Sequence, residues 1–408
     1  MNYLQLNSDF FDSLSIVEKK KHLLKIRIVG ILYRYGKKTN AQICKRLSIS
    51  SPTSIGLLNE LMAEGVVEKA GRGASNGGRK PDLFRLKDNC IFILAIAMSK
   101  YKTEMAIFNN NNEMVCESPV IPYSLSDDMD ILDRLRRHAD EMIERSGINP
   151  AQLVGVGVSM PGLIDSNLGR NYTYLRGGES LQQAFEKKFG RPVFIENDAK
   201  AGAMAEHRFG VARNKKNVLA IFLGWGIGLG MILDGKLYRG STGFAGEFGH
   251  IPITDDGELC ACGKQGCLET LASGAALVKM AADGIRQGKT AMIGDLPGEN
   301  LESLDPGVVV EAALRGDQYA ISIIGKVGLN LGKAISMLIQ LFNPELIILG
   351  GKMAEAGQYL TIPVKQAVNM HCMPQLADKT VIQTSELGPC ARMLGSVAIV
   401  MEKVFEDR

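Results

Sequence analysis

A chain of 408 residues exceeds one ordinary hydrophobic core and implies a small domain joined to a larger, bilobal one. Its 46% apolar and 22% charged residues fit a soluble globular protein. No secretory leader is expected in Met1–Phe11, where polar residues interrupt the apolar ones, and no membrane span, because the longest apolar run, Val218–Leu233, is broken by four glycines; a cytoplasmic location is the expectation. The net charge of +3 conceals +8 over residues 1–88 and −5 over the rest, which suggests a basic head that meets a polyanion, although a merely solvated face would share that composition.

Leu24, Ile28, Ile31, Leu32 and Tyr35 recur at helical spacing, so His22 to Tyr35 is expected to form an amphipathic helix that Gly36 ends. Thr39 opens a second helix, with Gln42 completing a capping box and Ile43, Cys44 and Leu47 on its apolar face. After a turn at Ser48 to Ser50, Ser51 is expected to cap a third helix, with Pro52 in its first turn, Ile55, Leu58, Leu61 and Met62 buried, and Gly65 at its end. This is the helix-turn-helix layout, and its third helix would present Ser51, Thr53, Ser54 and Asn59 to bases and phosphates. Val66 to Ala70 and Leu83 to Leu86 read as a hairpin around a glycine-rich tip, from which Arg72, Arg79 and Lys80 can reach a phosphate backbone or a minor groove. A flexible linker would also be glycine-rich. The order helix, helix, helix, hairpin is nevertheless that of a winged helix-turn-helix DNA-binding domain, assigned to residues 1–88.

Beyond Asn89, Ile91 to Met98 pairs with Glu104 to Phe108, and Leu153 to Met160 and Val193 to Glu196 read as buried strands. The last of these runs into Asn197-Asp198 and a helix through His207. Val218 to Leu223 and Leu229 to Leu233 flank a glycine turn, and a helix from Val327 to Gln340 precedes a strand from Leu346 to Leu349. Strands and helices repeated in this way imply two α/β lobes around a cleft: residues 89–199 plus 388–408, and residues 200–387.

Of eight cysteines, three crowd into Cys260–Cys267, a pattern that suits a metal better than a disulfide framework in the cytosol. Cys260, Cys262 and Cys267 with His250 supply three thiolates and one imidazole, the closed tetrahedral set of structural Zn2+; the competing reading is three unligated thiols.

Several segments together carry a resemblance. They are Gly155 through Pro161-Gly162, Glu196-Asn197-Asp198-Ala199, Gly243-Phe-Ala-Gly-Glu247-Phe-Gly-His250, Cys260-Ala-Cys262 through Cys267-Leu-Glu269, and Asn343-Pro344 through Gly350-Gly351. In this order they resemble the ROK family of repressors, open reading frames and sugar kinases, and Gly77-Gly78-Arg79-Lys80-Pro81 resembles the wing of its repressor branch. The resemblance implies a two-lobed actin-like sugar-kinase (ribonuclease H-like) ATPase fold behind the head. It also implies that Asn197, Asp198, Glu247, His250 and Glu269 hold sugar hydroxyls, with Asn171 a further candidate and Asp198 the base in a kinase.

The sequence departs from the kinase pattern Asp-x-Gly-Gly-Thr, which here reads Ala97-Met-Ser99-Lys100-Tyr101; Trp225 stands in the second glycine turn, where kinases have a small hydroxyl residue. The expectation is therefore a homodimeric or homotetrameric sugar-responsive repressor that binds operator DNA and has lost catalysis. Its rivals are an active ATP-dependent sugar kinase with a regulatory head and a regulator controlled by a protein partner.

Overall fold

The computed structural model describes residues 14–74, 80–126, 128–177, 180–289 and 304–405. The chain folds into two units, one running to Asn197 and resuming at Arg392, the other spanning Asp198–Ala391.

The first unit opens with α1 (Ile16–Tyr35), which starts earlier than apolar periodicity suggests because Ser15 and Glu18 form a reciprocal capping box ahead of the lysine run. The Thr39–Gln42 box starts α2 (Asn40–Leu47) as expected. α3 (Ser51–Ala63) is capped by Ser50 and not by Ser51: the Ser50 hydroxyl accepts from the Thr53 N–H. β1 (Lys38–Thr39), β2 (Val67–Arg72) and β3 (Asp82–Leu86) form an antiparallel sheet in the order β1-β3-β2, the expected wing. Ile26, Val29, Leu32, Ile43, Leu58 and Leu61 are buried beneath it. Buried Lys25 of α1 pairs with Glu60 at 2.7 Å and Glu64 at 2.6 Å, so charge as well as packing holds α3 to α1. Removing one partner of such a pair costs more than the intact pair contributes.

The same unit then builds a mixed sheet from β4 (Phe92–Met98), β5 (Lys102–Asn109), β6 (Met114–Glu117), β7 (Ile121–Pro122) and β8 (Leu153–Met160). A small hairpin, β9 (Ile164–Asp165) and β10 (Arg170–Asn171), precedes β11 (Val193–Asn197), which completes the sheet in the order β11-β8-β4-β5-β6, with β7 on β5. Every residue of β4 and β8 is buried, as in central strands covered on both faces. α4 (Ile131–Ser146) and α5 (Leu181–Phe189) share a core with Leu94, Ile96, Val156 and Val158.

The second unit begins with α6 (Asp198–Arg208). Its sheet contains β12 (Val218–Leu223), β13 (Ile227–Leu233), β14 (Lys236–Leu237), β15 (Leu346–Gly350) and β16 (Val381–Thr384), in the order β14-β13-β12-β15-β16. α6 lies directly on β13: a Cβ on Gly230 would stand 2.4 Å from the Ala203 Cβ and 2.6 Å from the Ala199 carbonyl, so only glycine fits. The other face carries α7 (Leu268–Ala272), α8 (Gly274–Arg286), α9 (Pro306–Leu314), α10 (Gln318–Phe342), α11 (Gln358–His371) and α12 (Pro374–Ala377) around Ile221, Leu223, Ile347 and Leu349. Among the described residues α10 alone is long and apolar enough to cross a membrane, and 56% of its most apolar window is buried in this core, which accounts for its composition.

α13 (Ala391–Phe405) returns to the first unit. Its Ser396 hydroxyl donates to the Ile96 carbonyl at 3.0 Å, and a Cβ on Gly157 would fall 2.0 Å from the Ser396 carbonyl, so β8 needs glycine there. At its other end Phe405 stacks on Tyr33 of α1, with centroids 6.1 Å apart, and covers Gly30.

Candidate functional site

The chemistry of the second unit gathers on the loops after β13. The segment between Leu259 and Cys267 folds back on itself: the Cys260 N–H donates to the Lys264 carbonyl and the Gly263 N–H to the Cys260 carbonyl. The ligand atoms of His250, Cys260, Cys262 and Cys267 thereby come within 4.8 Å of one another. Cys260 Sγ lies 3.5 Å from His250 Nδ1, and Cys262 Sγ lies 3.6 Å from Cys267 Sγ. Around a tetrahedral zinc of ordinary bond lengths these separations are about 3.6 and about 3.8 Å. These two pairs thus match the ion to within tenths of an ångström, and the four donors are of the type and proximity that structural zinc uses. Burial pushes the Cys267 thiol up to about 12, while the Lys264 N–H lowers that of exposed Cys262. A thiol buried like Cys267 gives up its proton in exchange for a cation, which is what a structural metal supplies.

A carboxylate cluster adjoins this loop. Asp198 Oδ1 accepts from the Ala199 N–H at 2.9 Å, so it occupies one of the open donors in the first turn of α6 whatever else it does. Two residues on, Lys200 is 2% exposed and donates from Nζ to the Gly243 carbonyl, tying α6 to the glycine loop. The loop turns at Gly246, where φ is +95° and a Cβ would lie 2.4 Å from the Leu229 carbonyl, and so delivers Glu247. Glu247 is exposed as a residue, but its carboxyl is crowded. Lost hydration raises its pKa, Lys200 and His250 oppose the rise, and Asp198 and Glu269 reinforce it. Glu269, at the start of α7, accepts from the Ile227 N–H at 3.1 Å; a Cβ on Gly226 would stand 2.5 Å from that oxygen. Three carboxylates, an imidazole and a buried ammonium therefore share one neighbourhood, rich in acceptors for paired hydroxyl groups.

Two other candidates behave differently. Asn197 closes β11 in the first unit and donates from Nδ2 to the Gly162 carbonyl at 3.2 Å. Asn171 is buried, accepts from the Thr173 and Tyr174 N–H groups and donates to the Pro161 carbonyl, so its amide shapes its own loop. Lys200 escaped the sequence reading because a lysine on a helix ordinarily faces water.

The turns where a nucleotide's phosphates would be held are tightly bonded. Between β4 and β5, the Ser99 N–H and hydroxyl both donate to the Lys102 carbonyl, at 2.8 and 2.9 Å. The Lys100 and Tyr101 carbonyls accept from Leu125 and Tyr123, and Lys100 Nζ sits 5.1 Å from the centre of the Tyr101 ring. In the second unit, the Gly224 and Trp225 carbonyls accept from the Gly274 and Ala275 N–H groups, which uses the start of α8. Gly226, Gly228 and Gly230 thus have packing reasons, room for Glu269 and for α6, that require no phosphate, whereas a Cβ on Gly224 would meet nothing within 4 Å.

In the head, Ser51, Thr53 and Asn59 are exposed on α3. Ser54 is fully buried beside Leu57, Leu58 and Leu61 and is withdrawn as a DNA contact, while Ile55, expected inside, is 38% exposed. The buried face is rotated by one residue from the expected one. Arg72 and Lys80 are exposed on the wing, whose neck is closed by the Gly73 N–H donating to the Pro81 carbonyl; Arg79 lies outside the described residues.

Residues 93–403 match the model of the ROK family. A xylose repressor of Bacillus spizizenii is 30% identical over 90% of this chain and 92% of its own length. A glucokinase of Thermotoga maritima is 33% identical over 67% of this chain and 86% of its own length. The crystal structure of a ROK family transcriptional regulator, a homolog of the Escherichia coli MLC protein, superposes with a TM-score of 0.79 at 25% identity, covering 94% of this chain and 96% of that one. The chain belongs to the ROK family, with a winged head on an actin-like sugar-kinase body.

Proposed function

We propose that this chain is a sugar-responsive transcriptional repressor of the cytoplasm, acting as a homodimer or homotetramer on operator DNA. One observation carries the reading: a winged helix shares a chain with the Asp198, Glu247, His250 and Glu269 cluster, while the Ser99 N–H and hydroxyl at the turn after β4 are both bound to the Lys102 carbonyl. The carboxylates, with Asn197 next to Asp198 in the chain, accept hydrogen bonds from vicinal hydroxyls of a sugar or sugar derivative. Structural zinc on His250, Cys260, Cys262 and Cys267 fixes the loop that carries Glu247 and Glu269. Ser51, Thr53, Asn59, Arg72, Arg79 and Lys80 serve the duplex. The name of the Bacillus spizizenii relative, a xylose repressor over nearly its whole length, supports this assignment.

The effector acts by binding one conformation better than another, and a difference of a few kcal/mol suffices to empty an operator. The test is a panel of sugars scored by thermal shift, followed by operator binding with and without each hit. A sugar that raises the melting temperature and weakens DNA binding is the expected result; no response to any sugar, with a cellular protein displacing the DNA instead, overturns it.

A second reading, an active sugar kinase with a regulatory head, draws support from the glucokinase likeness. Against it stand Ala97, Ser99, Lys100, Tyr101 and Trp225 at the phosphate turns. ATP-dependent phosphorylation of a hexose that Asp198→Ala abolishes would establish the kinase.

A further inference from the structure

α3 has a chemically unusual outer face for a helix that reads DNA. Its exposed residues are Ser51, Pro52, Thr53, Ile55, Gly56, Asn59 and Ala63, and none carries a charge. The only charged residue in the helix, Glu60, is bound to Lys21 at 2.6 Å and Lys25 at 2.7 Å on the α1 side. The commonest specific contact to guanine is a bidentate Arg or Lys on its O6 and N7, and this helix offers neither. Two of the exposed hydroxyls are already engaged at the helix start: Ser51 Oγ accepts from the Asn40 amide at 2.8 Å, and Thr53 Oγ1 pairs with Ser50 Oγ at 2.8 Å. Base reading then falls to Ile55 and Asn59, four residues apart and so on one helical face. Between them Gly56 is bare, with nothing within 4 Å of where a Cβ would stand, which lets a groove wall come close to the backbone.

From this face we infer that α3 reads an A·T core in each operator half-site, with the Asn59 amide bidentate on an adenine edge and the Ile55 side chain against a thymine methyl. A primary amide offers the donor and acceptor that adenine N7 and N6 require, and the thymine C5-methyl is the apolar feature of the major groove. An exposed isoleucine alone would be ordinary. Here it stands on a charge-free reading face, one turn from the single amide on it. Exposed Lys37, Lys45 and Arg46 on and before α2 supply the phosphate contacts, so charge sets affinity and α3 sets sequence. The inference rests on the regulator reading above.

The experiment selects duplexes from a random library with the full-length protein, then scans the selected site with deoxyuridine in place of each thymidine. The half-site should fix adenine and thymine under α3, and one uridine should weaken binding about four-fold, the worth of a methyl group. Ile55→Ala should lose that uridine sensitivity. Asn59→Ala should relax one adenine position, at a cost of roughly 5- to 150-fold. Both variants should keep wild-type affinity for random duplex at low salt, which shows them folded. A G·C pair fixed under α3, or variants that select the same site with the same uridine sensitivity, overturns the inference while leaving the regulator intact. Failure of the wild type to enrich any duplex strikes the regulator reading itself, and this inference with it.

Discussion

Two turns in the body have opposite chemistry. The Ser99–Tyr101 turn binds the Ser99 N–H and hydroxyl to the Lys102 carbonyl and the Lys100 and Tyr101 carbonyls to Leu125 and Tyr123, whereas the Gly243–Gly246 loop spends its close contacts on presenting Glu247. The first turn is what a nucleotide's phosphates would need open, and the second is what a polyol would need rigid. The contrast teaches that gripping hydroxyls and gripping phosphates are separable in this fold. On the proposed reading the hydroxyl grip would depend on metal, glycine and buried lysine, and a phosphate grip on freely turned N–H groups.

The strongest way to break the contrast is to disrupt the His250, Cys260, Cys262 and Cys267 set proposed to hold a metal beside the loop. Cys260→Ser should release zinc, lower the melting temperature by roughly 10 °C or more and abolish the sugar-induced shift, as calorimetry with metal analysis would show. A full sugar response in the zinc-free protein would disconnect the loop from the effector.

Next in size, Asp198→Ala and Glu247→Gln should each weaken sugar binding about 100-fold, since each removes charge-assisted hydrogen bonds, and calorimetric titration would register it. Lys200→Met should cost about ten-fold by freeing the glycine loop from α6. It should also move the pH at which binding weakens upward, because the ammonium holds the Glu247 proton off.

The sign of that dependence is fixed. Lost hydration raises Glu247 above its unfolded value, so folding favours its protonated form. Its contribution to stability is complete below the unfolded pKa and is lost as pH rises through the raised one. Sugar affinity runs the other way and falls as pH drops through the raised pKa. Glu247→Gln should flatten both curves. A wild-type affinity that does not change with pH would remove Glu247 from the site.

The smallest expected effect lies in the head. Arg72→Ala and Lys80→Ala should each reduce the slope of log affinity against log salt by about 1, leaving sequence preference unchanged. An unaltered slope would take that residue off the duplex.

Much of this was legible in sequence, for reasons that differ by residue. The zinc set showed itself because its ligands are close in the chain, and α2 because its capping box is local. The start of α1 carried an equally local signal, Ser15 with Glu18, which the lysine run masked. α3 was located correctly but rotated by one residue, because Ser50 and Ser51 are equally good caps and only burial against α1 sets the phase. That slip exchanged the fates of Ser54 and Ile55. The role of Lys200 was not legible at all, since it depends on a loop more than forty positions away meeting α6 in space. Gly226, Gly228 and Gly230 were visible, but their causes, Glu269, Ala199 and Ala203, are tertiary.

The placement of Phe405 has a consequence for biogenesis. Tyr33 and Gly30 emerge from the ribosome long before the aromatic ring that covers them. The winged head therefore stands without this footing while both sheets are still being synthesised. A non-local contact of this kind delays completion of the reader until the sheets beneath it exist. A chain lacking only Phe405 would keep the α3 reading face and lose what steadies α1 behind it.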